Sequence, residues 1–333
     1  MCRQDEIDFV ILWVDGSDPE WLAQKNAYQP EGDHRSQRYR DWGLLPYWFR
    51  GVEKFAPWIH KIHFVTWGHV PSWLKEDHEK LHIVKHSDYM PAWALPTFSS
   101  RPLEINFHRI SGLSEHFVYF NDDFLLIDHV KPTDFFIKGL PRDMLALQPV
   151  VANPLNPIMS RTFINNSIAI SRHFDKRTCM KKFPGKFFKI GYPPKYFIYN
   201  LLETVFPLYT GFYTVHGPTP FVKSTFEEIW TLEKEVMETT TSHKFRNGND
   251  ISPYLIREWQ KQKGEFYPAN LHRDFKYLDG SNISAKNLRV ITKQRKKMIC
   301  INDSDYSFDF EINRRAYAKA LQSILPEKCS FEK

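Results

Sequence analysis

Short apolar runs alternate with amphipathic stretches over the first half of the chain. The runs combine β-branched and aromatic residues and are too short for helices, so each predicts a buried β-strand. The predicted strands cover residues 7–14, 61–67, 81–86 and 116–123. The amphipathic stretches predict helices at 19–26, 44–55 and 102–109. This alternation is typical of an α/β fold with a mostly parallel, Rossmann-like sheet and flanking helices.

The second half of the chain begins with a change of character. Between residues 152 and 210, proline, aromatic and basic residues crowd together, as in KKFPGKFFKIGYPPKYF, and we interpret this segment as an insertion over the sheet. The pattern then predicts helices at 220–236, 253–262 and 311–325, and two strands joined by a basic turn within 288–301. We therefore divide the chain into an α/β half at 1–151, the insertion at 152–210, and a C-terminal part at 211–333 that completes the domain.

The composition is that of a globular protein with a mild excess of positive charge. The 333 residues include 45 Lys or Arg and 39 Asp or Glu, which gives a net charge of +6. This excess suits a phosphorylated ligand or an anionic membrane face and argues against nucleic acid as a partner. The four cysteines form no Cys-x-x-Cys pair, which argues against a zinc-bound or disulfide-stapled domain.

The apolar runs also bear on location. None reaches the roughly 18 residues that a membrane-spanning helix needs. The first residues lack the apolar stretch of a secretory signal. We therefore expect a cytoplasmic protein, and the basic and aromatic residues within 152–210 add the expectation of peripheral contact at the inner membrane face.

Carboxylates follow two of the predicted strands, at the ends where ligands bind in α/β sheets. The first loop holds Asp15, Gly16 and Asp18, and the second holds Asn121, Asp122 and Asp123. Glycine lets a backbone approach a ligand closely. Adjacent carboxylates repel each other unless a divalent cation or sugar hydroxyls absorb the charge. The alternative is structural: a turn with an N-cap at Asp18, and a capped loop at 121–123.

Three polar positions in the second half are further candidates. His216 is followed by Pro218 and Pro220 in TVHGPTP, which would fix the loop around it, and histidine titrates near neutrality, so it could take a proton from an attacking hydroxyl. Arg246, in KFRNGNDIS, could hold a phosphoryl group through its planar guanidinium. Asn302 and Asp303 place another acid at a strand end. Taken singly, a structural histidine and a surface arginine are the simpler interpretations.

Together these segments resemble the Stealth proteins, which include bacterial capsular polysaccharide phosphotransferases and the catalytic part of animal N-acetylglucosamine-1-phosphotransferase. Four blocks occur in the expected order: IDFVILWVDGSD at 7–18, a long block within 39–126, HGPTPFVKSTFEEIW with KFRNGNDIS at 216–252, and CINDS at 300–304. The second block is the most specific. The resemblance implies a nucleotide-sugar transferase type of sheet, with residues 1–151 as the nucleotide-sugar-binding half.

The resemblance also implies roles for individual residues. His216 and Arg246 match the residues implicated in catalysis, together with the second-block acids Asp122 and Asp123. Asp123 and Asp303 are the expected ligands of Mg²⁺ or Mn²⁺. The expected substrate-binding residues are Asp15, Gly16, Asp18, Glu104, His108, Arg109, Asn121 and Asn302.

The implied reaction moves a hexose-1-phosphate or N-acetylhexosamine-1-phosphate from a UDP-sugar to a hydroxyl of a glycan or lipid-linked oligosaccharide. The hydroxyl attacks the β-phosphorus and UMP leaves, a step that depends on positioning and charge neutralisation. Two alternatives stay open. One is a metal-dependent glycosyltransferase, which would release UDP, and the other is a glycan- or nucleotide-binding module without catalysis.

The segment at 152–210 carries its own prediction. Four lysines are interleaved with phenylalanines and followed by tyrosines; they are Lys181, Lys182, Lys186, Lys189, Phe183, Phe187, Phe188, Tyr192, Tyr196 and Tyr199. Basic groups beside exposed aromatic rings suit an anionic membrane leaflet or a phosphate-bearing acceptor glycan. The alternative is that the phenylalanines are buried and the lysines merely solvated.

Overall fold

The computed structural model describes residues 6–28, 39–303 and 307–333. The strands are β1 (Ile7–Leu12), β2 (Ile62–Thr66), β3 (Leu81–Lys85), β4 (His116–Asn121), β5 (Phe124–Leu126), β6 (Phe136–Ile137), β7 (Leu140–Asp143), β8 (Ala146–Leu147), β9 (Phe212–Tyr213), β10 (Thr219–Val222), β11 (Tyr267–Pro268), β12 (Phe275–Asp279) and β13 (Met298–Asn302). The α-helices are α1 (Pro19–Ala27), α2 (Leu45–Phe55), α3 (His86–Tyr89), α4 (Ser100–Glu104), α5 (Pro157–His173), α6 (Lys176–Lys182), α7 (Pro184–Phe187), α8 (Pro194–Leu202), α9 (Lys223–Leu232), α10 (Lys234–Ser242), α11 (Tyr254–Lys263), α12 (Ala285–Thr292) and α13 (Phe310–Gln322).

The central sheet has five strands in the order β10-β4-β1-β2-β3. The four strands β1 to β4 are parallel, and β10 joins the edge antiparallel to β4. Both faces are covered: Phe9 and Ile11 pack into one apolar cluster, which includes the rings of α2, while Val10 packs into the other, which includes the apolar side of α11. This period-two division confirms the predicted α/β fold with a mostly parallel sheet.

A second sheet continues directly from the central one. Its order is β12-β13-β5, with β12 and β13 parallel and β5 antiparallel to β13. Only the two acids of the 121–123 loop separate β4 from β5, and Cys300 on β13 pairs with Phe124 on β5. The carboxyl ends of β4 and β13 therefore lie side by side.

Two predicted elements are wrong in type, and a third is divided in two. The first of the two strands predicted within 288–301 is part of the helix α12, which Ser284 caps and which buries Val290 and Ile291, whereas the second is confirmed as β13. The helix predicted at 220–236 starts as strand β10, where Pro220 is tolerated because β10 is an edge strand; two helices, α9 and α10, follow. The helix predicted at 102–109 consists of the short α4 and a separate 3₁₀ turn.

Residues 152–210 form four helices, which the sequence pattern did not predict. The longest, α5, packs against α11, and its Asn166 side chain donates to Ser252 Oγ at 2.9 Å. Within the aromatic and basic stretch, Phe187 is buried, and Lys186 donates to the backbone carbonyls of Gly264 and Phe266. The structural alternative therefore holds for Phe187, whereas Lys186 is bonded within the protein and not merely solvated. No helix in the described ranges is both long and apolar enough to cross a membrane.

Candidate active site

A cavity of about 500 Å³ opens where the carboxyl ends of β4 and β13 meet. Eight of the residues that we expected in a site line it: Glu104, Asn121, Asp122, Asp123, His216, Arg246, Asn302 and Asp303. They come from five separate parts of the chain. Helix α5 also contributes to the wall, through Met159 and Phe163.

His216 stands between a phenol and a carboxylate. Its Nδ1 lies 2.7 Å from the hydroxyl oxygen of Tyr254, and its Nε2 lies 3.7 Å from Asp123 Oδ2. Its ring packs edge-on against Phe124, with the centroids 4.9 Å apart. Burial raises the pKa of Tyr254 above its ordinary value, so the phenol stays neutral. The imidazole is thus held at Nδ1 and presents Nε2 to the acids.

A buried ion pair fixes the loop that carries His216. Arg257 on α11 donates to both carboxylate oxygens of Asp143, at 2.5 and 2.7 Å, and to the carbonyl of Val215 at 2.7 Å. Burial alone would raise the pKa of Asp143, but the charges of Arg257 and Lys261 hold it below its ordinary value. The residue that precedes His216 is therefore tied to the protein core.

Replacing Asp143 with alanine is expected to lower the free energy of unfolding by about 3–5 kcal/mol, because the buried Arg257 charge is left uncompensated. Urea unfolding followed by circular dichroism measures the change. The matched control is Glu311→Ala, which removes an exposed ion pair with Arg314 and is expected to cost less than about 1 kcal/mol. Similar losses for the two variants would contradict the prediction.

The two adjacent acids differ in their surroundings. Asp122 is exposed to solvent on the cavity wall, but the protein packed around it and the neighbouring carboxylates of Asp123 and Asp41 raise its pKa to about 7. Asp123 Oδ2 accepts a hydrogen bond from the thiol of Cys300 at 3.1 Å. Asp123 Oδ1 is buried and has no hydrogen-bond partner in the part of the chain that the structure describes. An unpaired buried carboxylate oxygen is costly, which indicates that something else binds there.

Asp123, His216 and Cys300 could hold a metal ion, because one donor atom from each lies within 4.8 Å of the others. Burial, followed by the charge of Asp123, raises the pKa of Cys300 well above its ordinary value, so its thiol is a poor ligand. A carboxylate beside an open cavity suits Mg²⁺, which typically binds one or two carboxylates and leaves other positions for water and phosphate. The arrangement therefore fits a hard divalent cation chiefly through Asp123.

Arg246 reaches the cavity from the loop that joins α10 to α11. This loop is anchored on two sides. The amide of Asn165 on α5 donates to two of its carbonyls at 2.9 Å each, and the backbone N–H of Phe98 donates to the carbonyl of Lys244 at 2.7 Å. The segment at 152–210 thus supports the loop that positions Arg246.

Comparisons with known proteins identify the family of the chain. The models of Stealth conserved regions 1 and 2 match residues 5–33 and 38–143. A capsular polysaccharide phosphotransferase, WcwK of Streptococcus pneumoniae, is 38% identical, with 100% of both chains covered. The receptor polysaccharide phosphotransferase WefC of Streptococcus gordonii is 38% identical, with 98% of this chain and 99% of the relative covered.

The chain belongs to the Stealth family. Its relatives show that it is a phosphotransferase. The first two blocks identified in the sequence, 7–18 and 39–126, lie entirely within the matched regions. An exopolysaccharide phosphotransferase, cps2G of Lactiplantibacillus plantarum, is also 38% identical, covering 98% of this chain and 96% of the relative. Among solved structures, the galactosyltransferase LgtC with donor and acceptor sugar analogs is 10% identical, with a TM-score of 0.43 and coverage of 97% and 98%.

The structure does not bring the first Stealth loop to the cavity wall. Asp15 accepts hydrogen bonds from the backbone and hydroxyl of Ser17, and Asp18 caps α1 by accepting from the N–H of Trp21 at 2.8 Å. The backbone of Tyr39 passes so close to Gly16 that a side chain would collide with it. These contacts match the structural alternative, a turn with an N-cap.

The polar positions of the second Stealth block divide into two groups. Glu104 is buried at the cavity, where it accepts a hydrogen bond from Tyr119 at 2.8 Å. His108 and Arg109 instead pack on Trp230 of α9, outside the cavity lining. Burial, with the charge of Arg109, lowers the pKa of His108 to about 3, so its ring is neutral.

Two polar residues of the fourth Stealth block line the cavity, but both are bonded within the protein. Asp303 lines the cavity but forms a bidentate ion pair with Arg40, at 2.6 to 2.9 Å. Asn302 donates to the carbonyl of Asp303 at 2.6 Å. Ser304, the last residue of the predicted block, lies outside the described residues.

Sequence reasoning missed two residues that contact the catalytic candidates. Cys300, which donates a hydrogen bond to Asp123, is part of the CINDS block. Its spacing did not indicate a functional thiol, because it forms no Cys-x-x-Cys pair. Tyr254, which bonds to His216, stands at the start of a predicted helix, where no local pattern marks a functional side chain.

Proposed function

We propose that the protein transfers hexose-1-phosphate or N-acetylhexosamine-1-phosphate from a UDP-sugar to a glycan hydroxyl, releasing UMP, in the synthesis of a surface polysaccharide. The observation that carries the proposal is the convergence of His216, Asp123 and Arg246 on one cavity. Full-length similarity to polysaccharide phosphotransferases supports it.

The cavity offers distinct surfaces for the parts of such a donor. The guanidinium of Arg246 suits the β-phosphate, because its planar fork matches phosphate oxygens. The rings of Phe163 and Tyr277 on the wall offer flat faces for uracil or sugar. Asn121 and Asn302 provide neutral donors and acceptors for sugar hydroxyls at the strand ends.

In the proposed step, His216 Nε2 takes the proton of the acceptor hydroxyl. The acceptor oxygen then forms a bond to the β-phosphorus, and the bond from that phosphorus to the bridging oxygen of UMP breaks. For Nε2 to be the base, Nδ1 must carry the ring proton and donate it to the neutral phenol of Tyr254. The contact at Nδ1 is compatible with this tautomer, because the oxygen of a neutral phenol can accept a hydrogen bond.

The proposed cofactor is Mg²⁺ or Mn²⁺, held by Asp123 with Asp122 beside it. Such a cation would neutralise charge on the pyrophosphate. Asp303 is the other proposed ligand, although the structure pairs it with Arg40.

The proposed acceptor is a glycan, carried in the cell as a lipid-linked oligosaccharide. A lipid-linked acceptor would place the enzyme at the inner membrane face, in peripheral contact with anionic lipid.

The test is incubation of the purified protein with a panel of UDP-sugars, acceptor oligosaccharide and Mg²⁺, followed by chromatography of the nucleotides. UMP with a phosphate-linked sugar on the acceptor is the expected result. Release of UDP would identify a glycosyltransferase instead. Saturable binding of the donor without either product would leave only a binding module.

A further inference from the structure

Helix α8 presents an apolar face to solvent. Ile198, Leu201, Leu202 and Val205 are each more than half exposed, and Val205 is 74% exposed. Their spacing of three, four and seven residues places them on one side of α8 and of the 3₁₀ turn that continues it. We call these four residues the apolar face of α8. Leu208, which follows it, is also more than half exposed.

The opposite side of the same helix is buried and carries two polar residues, Asn200 and Glu203, beside the ring of Tyr196. Asn200 donates to the carbonyls of Leu145 and Phe187 and accepts from the backbone N–H of Leu147 at 2.7 Å. Glu203 is 2% exposed and pairs with the buried Lys176. These bonds fix the helix to the core, so its apolar residues stay outward. This polarity is the reverse of that expected for a surface helix in water.

The exposed charges of the segment that carries the apolar face, residues 176–208, have one sign. Between residues 176 and 208 the only acidic residue is Glu203, which is buried and paired. The exposed charges of this segment are all basic: Arg177, Lys181, Lys182, Lys189 and Lys195. Lys195 lies three residues before Ile198, on the same side of α8.

We propose that the apolar face of α8 docks on an anionic lipid bilayer. Amphipathic helices bind membranes with their apolar residues at the boundary between headgroups and acyl chains, and nearby lysines attract anionic headgroups. A second copy of this chain fits less well. A twofold interface would place the same patch on both sides, and so bring the basic residues of each copy together.

The membrane contact rests on the proposed function, because its purpose would be to bring the enzyme to a lipid-linked acceptor. Its position differs from that of the membrane contact that the sequence predicted. Lys186 and Phe187 belong to the residues predicted to contact the membrane, but Lys186 donates to a backbone carbonyl and Phe187 is buried. The lipid-facing residues come instead from the next helix, and Lys181, Lys182 and Lys189 remain as exposed cations beside it.

Sedimentation with vesicles tests the proposal. The full chain is mixed at low salt with vesicles of phosphatidylglycerol or of phosphatidylcholine. We expect binding to phosphatidylglycerol that added salt weakens. The double variant Ile198→Ser/Leu202→Ser is expected to lower the partition coefficient by at least about tenfold. Its matched control, Leu232→Ser/Ile312→Ser, changes two apolar residues of similar exposure on α9 and α13 and should bind like the wild type.

The basic residues are tested by a second pair of variants. Lys189→Gln/Lys195→Gln is expected to weaken binding several-fold, whereas Lys75→Gln/Lys286→Gln, at two exposed lysines elsewhere, is not.

Three results would overturn the proposal. They are no binding of wild type to phosphatidylglycerol, equal binding by the α8 variant and its control, and a dimer that the α8 variant converts to a monomer without any vesicle binding. The last would make the face a subunit interface. UMP release on a soluble acceptor is measured in parallel, so failure of vesicle binding is separate from failure of the proposed reaction.

Discussion

Replacing His216 with alanine is expected to lower kcat for UMP release by about 10²- to 10⁴-fold, which is the usual contribution of a positioned general base. The reason lies in the geometry: Nε2 is directed at the acids of the cavity, and Nδ1 is held by Tyr254. Because the base acts on the acceptor proton in the transition state, KM for the UDP-sugar should change little. Steady-state kinetics over a range of donor concentrations separates the two constants.

Two further variants sharpen this test. Tyr254→Phe removes the hydroxyl that orients the imidazole but leaves the base, so its loss of kcat should be smaller than that of His216→Ala. His78→Ala is the matched control, because His78 stacks on Phe331 and contacts Ser330 outside the cavity; its kcat should be that of the wild type. A well-folded His216→Ala protein with near-normal kcat would remove His216 from the mechanism.

The sheet was predictable because its signal is local. Strands β1, β2 and β4 are buried on both faces, so each appears in the sequence as a short continuous apolar run. The edge strand β3 is only partly buried, but its apolar residues were sufficient to predict it in the same way. The acids at the end of β4 were predictable for a related reason, since the carboxyl ends of parallel strands meet at one edge. Asp123 and Asn121 indeed line the cavity there.

The elements that were mispredicted depend on contacts distant in sequence. Strand β10 exists because β4 offers a free edge about a hundred residues away, and nothing near Pro220 shows that edge. The sequence around α12 is also compatible with two strands joined by a basic turn. The packing of α12 against α13 decides in favour of the helix. Local propensity is a weak guide where tertiary contacts compete with it.

The same limit applies to the candidate site. Arg257 and Asp143 are 114 residues apart, yet their ion pair fixes the backbone beside His216. The hydrogen bonds of Tyr254 and Cys300 likewise join segments that no spacing relates. Conversely, Asp15 and Asp18 have the composition of a ligand loop, but their carboxylates are used in a turn and a helix cap. Residue type alone does not distinguish these uses.

Chelation of divalent cations by EDTA is expected to abolish UMP release, and added Mg²⁺ or Mn²⁺ is expected to restore it. The reason is the state of Asp123: one of its oxygens is buried without a partner in the described chain, beside a cavity that could hold a pyrophosphate. Asp123→Asn should therefore lower kcat by about 10²-fold or more at saturating Mg²⁺, which corresponds to the loss of a few kcal/mol of charge stabilisation.

Two other carboxylates make this prediction specific. Asp15→Asn is the control, because the Asp15 carboxylate is bonded to Ser17 and lies outside the cavity lining; its Mg²⁺ requirement should equal that of the wild type. Asp303→Asn tests the second proposed ligand. If Asp303 binds the cation, this variant should need more Mg²⁺ for half-maximal activity, whereas a carboxylate that only pairs with Arg40 should leave that requirement unchanged. Full turnover in EDTA, or equal Mg²⁺ titrations for Asp123→Asn and Asp15→Asn, would contradict a cation at Asp123.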